Sequence, residues 1–297
     1  MKSQDYPLLF RQSDSRAIAN QKWHFRLLMM KIVLLLMITG FASFSWSPGL
    51  GLEFWTSLTI AIVLAVLMTL AAIGDLKRLD RIWFAARAVA ESVKKESWLF
   101  MMKIVPYDDS TSDSEARKVF LDRLKRFLDS QPSICSELIM DSQEGKQITE
   151  SIENARKQTV LERLAYYRTN RIHDQQHWYT KKATWSRKQE EGWFILSWVL
   201  QGLAVTLAFI IVIFSGLIIN PVGIITTAGA GVLSWMGARN YRELSQSYGF
   251  IAQRLSILEE QAEQLSTEKE LAEMVLRVEE TISQEHTIWL ARRVERP

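Results

Sequence analysis

The chain has 297 residues, with 36 Lys and Arg against 33 Asp and Glu and a net charge of +3, too little to argue for a nucleic-acid partner. Its single cysteine, Cys135, excludes an intramolecular disulfide and reads as a small buried hydrophobe. Hydrophobic residues make up 48%, charged residues 23%, and mean hydropathy is -0.02; these are averages of an ordinary soluble protein, and they hide the segregation of charge. No Lys or Arg lies between Ile32 and Leu76, and none between Gln189 and Ala238. A soluble helical domain scatters charge over each exposed face, so two such gaps exclude an ordinary soluble bundle.

In chain order, the segment MKSQDYPLLFRQSDSR is polar and predicts no cleavable signal peptide. Four apolar runs follow: Leu27–Trp46, Phe54–Gly74, Trp193–Ile218 and Pro221–Ala238. About 20 residues at about 1.5 Å each cross a hydrocarbon core of about 30 Å, so these runs are read as four transmembrane helices. The last is the shortest and is rich in Gly and Thr. Lys31, inside the first run, is placed near its cytoplasmic edge, where a lysine snorkels to the headgroups. Ser47–Glu53 and the stretch around Ile219–Asn220 join the runs into two hairpins, and neither carries a basic residue. Lys22, Arg26, Lys77, Arg78, Arg81, Lys181, Lys182, Arg187, Lys188, Arg239 and Arg242 flank the other ends. The positive-inside rule places both termini and the middle segment in the cytoplasm. Trp46, Trp55, Trp193 and Trp235 stand near span ends, as interfacial anchors do.

Between and after the hairpins the periodicity is helical. Leu79, Ile82, Trp83, Ala86, Val89, Ala90 and Val93 form one apolar face, predicted to continue span two as far as Val105, roughly 75 Å in all, with Pro106 ending it. Ser112 and Glu115 form a capping-box pattern opening a helix to about Ser130. Gln131–Pro132 and Gln143–Lys146 read as connectors. From Gln158 to Glu191 there is no Pro or Gly, so a helix is expected to run into span three, with Gly192 as a candidate kink. Tyr241, Leu244, Tyr248, Ile251, Leu255 and Leu258 again share a face, and Thr267 with Glu270 marks a fresh helix start. The expected fold is an all-α integral membrane protein, its long helices extending into a cytoplasmic helical bundle. Residues 1–157 and 158–297 repeat one plan: basic helix, span, short loop, span, amphipathic helix. An even number of spans separates them, so the repeat is parallel.

Chemistry is sparse. His173 and His177 have metal-compatible spacing, but Asp174-Gln175-Gln176 lies between them and no third ligand is evident. No phosphate loop or nucleophile motif is present, and neither an enzymatic activity nor a cofactor is expected. Polar residues inside the spans carry two readings. Thr39, Ser43, Gln201 and Thr206 bond within their own helices, as would those of span four; alternatively Asn220, Thr226, Thr227 and Ser234 line a water-filled pore in an oligomer.

Two further stretches carry a resemblance. Before a tryptophan stand Arg87, Ala90, Glu91, Ser92, Lys94 and Trp98; later come Arg171, Asp174, Gln175, Trp178 and Tyr179. Both resemble juxtamembrane motifs of the SLATT superfamily, the first half one subtype and the second half another. The resemblance implies a two-plus-two membrane effector of a bacterial antiphage or conflict system in the inner membrane. It would act as a homo-oligomeric pore or depolarising agent, released by a nucleotide signal or a sensor-protein partner. The alternative is a membrane-anchored scaffold or sensor whose cytoplasmic helices recruit a partner. The motif residues also have a plain reading, in which Trp83, Trp98, Trp178 and Tyr179 pack the juxtamembrane helices.

Overall fold

The computed structural model describes residues 1–43, 52–139, 144–214 and 220–294. It is helical, with no strand among the described residues. The helices are α1 (Leu8–Ala42), α2 (Leu52–Lys77), α3 (Leu79–Met101), α4 (Asp113–Asp129), α5 (Cys135–Ile139), α6 (Glu150–Arg156), α7 (Val160–Tyr167), α8 (Asp174–Ile213), α9 (Val222–Arg239), α10 (Tyr241–Gln261) and α11 (Glu268–Val294). Trp46 and the tips of both predicted hairpins lie outside the described residues.

Three helical stretches are long and apolar enough to cross a membrane: Leu8–Ala42, Phe54–Met101 and Val160–Ile213. α9, the fourth predicted span, has 18 residues, and its Gly and Thr leave it less apolar. The helices that enter the apolar runs are continuous. α1 begins well before its run and spans 35 residues. α8 spans 40 and passes through Gly192 without a break in the helix. The helices that leave the runs are broken. A single left-handed residue ends each: Arg78 (φ 43°) between α2 and α3, and Asn240 (φ 54°) between α9 and α10. This breaks the continuous helix expected to Val105, and α3 itself stops at Met101, before Pro106. Asparagine tolerates this conformation, and the Asn240 side chain donates to Glu243 Oε2 at 2.6 Å.

The chain divides into two compact units, each drawing on both halves of the sequence. Unit 1 comprises Met1–Asn20, Asp80–Thr184 and Ser245–Pro297; unit 2 comprises Gln21–Leu79 and Trp185–Leu244. In unit 1 the predicted apolar faces form one core. Ala86, Val89, Ala90 and Val93 of α3 are buried, as are Ile251, Leu255 and Leu258 of α10. Leu271, Met274, Val275 and Val278 of α11 join them at spacings of three and four. The N-terminal segment is tied down here: the backbone N–H of Leu8 donates to Lys146 O at 3.1 Å, and Thr149 Oγ1 donates to Asp5 O at 2.6 Å. Caps set the helix starts. Ser112 accepts from Glu115 N at 3.3 Å, and Thr159 with Glu162 forms a capping box that the sequence reading did not single out. Thr267 accepts from Glu270 N while Glu270 Oε2 accepts from Thr267 N. Cys135, expected buried, is only half-buried at the start of α5.

Unit 2 is apolar on the outside. Phe54, Trp55, Ile62, Met68, Trp198, Val199, Val205 and Phe209 are more than half exposed. A continuous apolar exterior of this size is unfavourable in water and matches the hydrocarbon of a bilayer. Inside the unit, α1 and α9 run antiparallel at close range through small residues. A Cβ on Gly223 would sit 3.7 Å from Ser43 Oγ, one on Gly40 3.4 Å from Ile224, and one on Gly231 only 2.8 Å from Ile32 Cγ2. Lys31 Nζ reaches the far end of α2, where a Cβ on Gly74 would lie 3.6 Å away. Trp235, expected as an interfacial anchor, is 9% exposed and packs inward against Phe25 and Trp193.

Candidate functional site

Two regions hold the predicted residues. The first is the polar side of α9. Asn220 stands before the helix, accepting from Val222 N at 3.2 Å through its side chain. Thr226 Oγ1 donates to Val222 O at 2.9 Å and to Gly223 O at 3.0 Å. Thr39, Ser43 and Thr206 make the same backward bond to their own helices, which satisfies a hydroxyl without a partner helix. A hydroxyl that donates backwards keeps its lone pairs free to accept. Thr226, Ala230 and Ser234 are exposed and four residues apart, so they form one narrow strip of small residues, flanked by Leu233, which is 53% exposed. Thr227 is half-buried; around the helix it lies about 100° from Thr226 and about 20° from Ser234. The four candidates therefore differ in exposure: Thr226 and Ser234 are exposed, whereas Thr227 is half-buried beside Ser234.

The second region lies in unit 1 and gathers motif residues from both halves. Trp98 is fully buried, and its Nε1 donates to the Tyr6 hydroxyl at 3.1 Å. Its ring meets Tyr167 edge-on at 5.3 Å. The Tyr167 hydroxyl donates to Glu279 Oε1 at 3.0 Å. Arg171 Nε and Nη2 donate to the two oxygens of Glu279 at 2.8 and 2.7 Å, with both side chains 1% exposed. Lys94 Nζ stands 5.8 Å from the centre of the Tyr6 ring. Arg171 sits in a π-helical segment, Arg168–His173, that joins α7 to α8; such local widenings recur at functional sites.

Buried charge sets the chemistry of this cluster. Burial alone would pull the Arg171 guanidinium down, but the charge and hydrogen bonds of Glu279 outweigh it and hold the proton firmly. Burial pushes the Tyr6 and Tyr167 phenols up, and Glu279 adds to the effect on Tyr167. Burial, and then the Arg171 charge, pulls the Lys94 ammonium down. Near neutrality the phenols and the guanidinium all keep their protons, so Arg171, Glu279 and the two tyrosines hold the helices of the cluster together. Two more arginines bind the end of α3. Arg156 Nη1 donates to Phe100 O at 2.9 Å, and Arg163 Nη1 donates to Met102 O at 2.8 Å while its Nη2 pairs with Glu268.

The remaining motif residues lie outside the cluster. Arg87 bridges Asp14 at 3.1 Å and Glu91 at 2.6 Å. Asp174 and Gln175 bond to each other, at 3.1 Å. Trp178 and Tyr179 both pack on Tyr248 at 5.6 Å. His173 Nδ1 faces Glu259 at 3.1 Å, and no group of His, Cys, Asp or Glu able to hold a metal occurs among the described residues. The sequence reading missed Tyr6, Tyr167 and Glu279. Glu279 precedes another glutamate, and nothing local in the sequence marks it as buried.

The model of the SMODS and SLOG-associating 2TM effector domain 3 matches residues 7–164, more than half of the chain. That of the SMODS and SLOG-associating 2TM effector domain 1 matches residues 167–289. No curated protein and no solved structure matches. These domains are membrane effector domains of conflict systems, in keeping with the apolar exterior of unit 2. The chain therefore belongs to the SLATT superfamily and is a membrane protein that carries two of its effector domains in tandem.

Proposed function

We propose that the chain is the effector of a bacterial antiphage or conflict system and acts by permeabilising the inner membrane as a homo-oligomer. It crosses the membrane four times as two hairpins, with α9 as the fourth span and both termini in the cytoplasm, and unit 1 is its cytoplasmic bundle. Two family domains of two spans each support that count, and the basic flanks support the orientation. The observation that carries the pore reading is the exposed face of Thr226, Ala230 and Ser234. It is too small and polar to gain much from lipid, and it can face water when several copies surround an axis. The effector acts by permeation and not by catalysis. A nucleotide signal or a sensor protein releases it, and the buried ion pairs of unit 1 keep that unit in a defined resting arrangement.

The experiment is induced expression in bacteria carrying a potential-sensitive dye, with and without phage challenge. Collapse of the potential supports the reading. A steady potential under challenge, with the protein present in the membrane, overturns it and favours a scaffold whose spans only tether unit 1.

A further inference from the structure

Unit 2 contains a cavity of about 350 Å³ where the start of the apolar run of α1 meets the end of α9. Its floor is aromatic and cationic. Phe25 and Trp235 meet edge to face at 5.8 Å, and the Arg239 guanidinium lies 3.8 Å from the centre of the Phe25 ring and 4.8 Å from that of Trp235. Arg239 Nε and Trp235 Nε1 are both buried hydrogen-bond donors without an acceptor among the described residues. Two such donors side by side are uncommon, because buried polar groups nearly always find a partner. Lys22 and Arg26 stand exposed at the rim. No acidic residue occurs in Gln21–Met29 or Trp235–Arg239, so the segments that line the cavity supply no counter-charge of their own.

Three cations and two unsatisfied N–H groups around one cavity suit an anion with several acceptor oxygens, as a phosphate has. The position selects the source. Lys22 and Arg26 precede the Lys- and Arg-free stretch that starts at Ile32, and Arg239 ends the one that starts at Gln189. The cavity thus opens at headgroup depth, with Met29, 38% exposed, leading along α1 toward the apolar exterior. Basic pockets at this depth suit anionic phospholipid headgroups. We infer that the Lys22–Arg26–Arg239 cavity binds the phosphate of an anionic phospholipid, its acyl chains lying along Met29. This rests on the reading that α1 and α9 reach the same membrane surface.

The test uses the full chain, purified in a mild detergent. Thermal stabilisation is titrated with short-chain phosphatidylglycerol, short-chain phosphatidylcholine and inorganic phosphate. Phosphatidylglycerol should stabilise the protein at lower concentration than phosphatidylcholine, and Lys22→Gln/Arg26→Gln should weaken that response about thirtyfold, as loss of two cations at about 1 kcal/mol each at a lipid surface predicts. The rim residues are exposed, so this variant keeps the fold; Arg239→Gln is the second variant and should weaken the response as well. Equal response to the two lipids, or an undiminished response in both variants, overturns the inference. Stabilisation by inorganic phosphate alone also overturns it, because the source is then soluble. Fractionation of the same variants separates the two readings: a chain that fails to enter membranes defeats the membrane placement, whereas one that enters without lipid selectivity defeats only the site.

Discussion

Arg171 and Glu279 are 108 residues apart in sequence, yet they form two parallel hydrogen bonds of 2.8 and 2.7 Å inside unit 1, with both side chains 1% exposed. Such a pair costs desolvation on both sides, and losing one partner leaves the other charge buried and alone. Glu279→Ala should therefore destabilise the chain by about 3–5 kcal/mol. Arg171→Met/Glu279→Leu, which removes both charges, should recover most of that loss. Thermal unfolding of the two variants in detergent decides it; a single variant as stable as the wild type contradicts the account.

Gly231 reports on helix packing in unit 2. A Cβ there would lie 2.8 Å from Ile32 Cγ2, a branch close to the backbone that has little freedom to move. Gly231→Ala should cost about 1–3 kcal/mol through overpacking, whereas Gly237→Ala, with nothing within 4 Å of its Cβ, should be neutral. Equal midpoints for the two variants in a thermal scan would count against the α1–α9 contact.

How much of this was legible is clearest at the helix starts. Ser112 and Thr267 announce their helices because a cap is a local pattern, and the apolar runs stand out because lipid tolerates no scattered charge. The breaks at Arg78 and Asn240 were not visible: arginine carries no signal for a left-handed backbone, and the helical periodicity runs on across it. Glu279 was hidden for a different reason. Its partner comes from a distant helix, and a glutamate beside another glutamate looks solvated until the fold buries it. Trp235 was misread as an anchor because its position along the span was evident and its direction was not. In the candidate pore, the residues of span four were legible as polar, but only the packed helix shows that Thr226 and Ser234 are exposed while Thr227 is half-buried.

Alkaline stability follows from the buried phenols. Burial pushes Tyr6, Tyr107 and Tyr167 up, with Glu96 adding at Tyr107 and Glu279 at Tyr167. Unfolded tyrosines lose their protons near pH 10 while the folded ones keep theirs. The stability they contribute is fully present below that pH and is lost as pH rises above it. Lys94, pulled down by burial and by Arg171, makes stability rise with pH only below about 10.4, where unfolded lysine loses its proton, so it does not offset the loss above that pH. The thermal midpoint should fall between about pH 10 and 11, and Tyr6→Phe should make that fall shallower. A midpoint that rises with pH contradicts the assignment.

The face of α9 separates two candidate sets. Thr226→Leu/Ser234→Leu should abolish depolarisation while leaving membrane insertion and oligomer size unchanged, because both side chains are exposed. Thr227→Val should retain depolarisation. Cross-linking for assembly and a potential-sensitive dye for activity check both; loss only in Thr227→Val would place the water-facing side elsewhere.

The most direct test of a tandem, four-span effector is labelling of introduced cysteines by an impermeant maleimide in intact cells, in a Cys135→Ser background. The account predicts that Ser47→Cys and Asn220→Cys are labelled from outside, while Ser15→Cys, Asp129→Cys and Glu263→Cys are labelled only after lysis. Protection of Asn220→Cys in intact cells together with external labelling of Glu263→Cys would show that α9 does not cross the membrane, and would contradict the second hairpin.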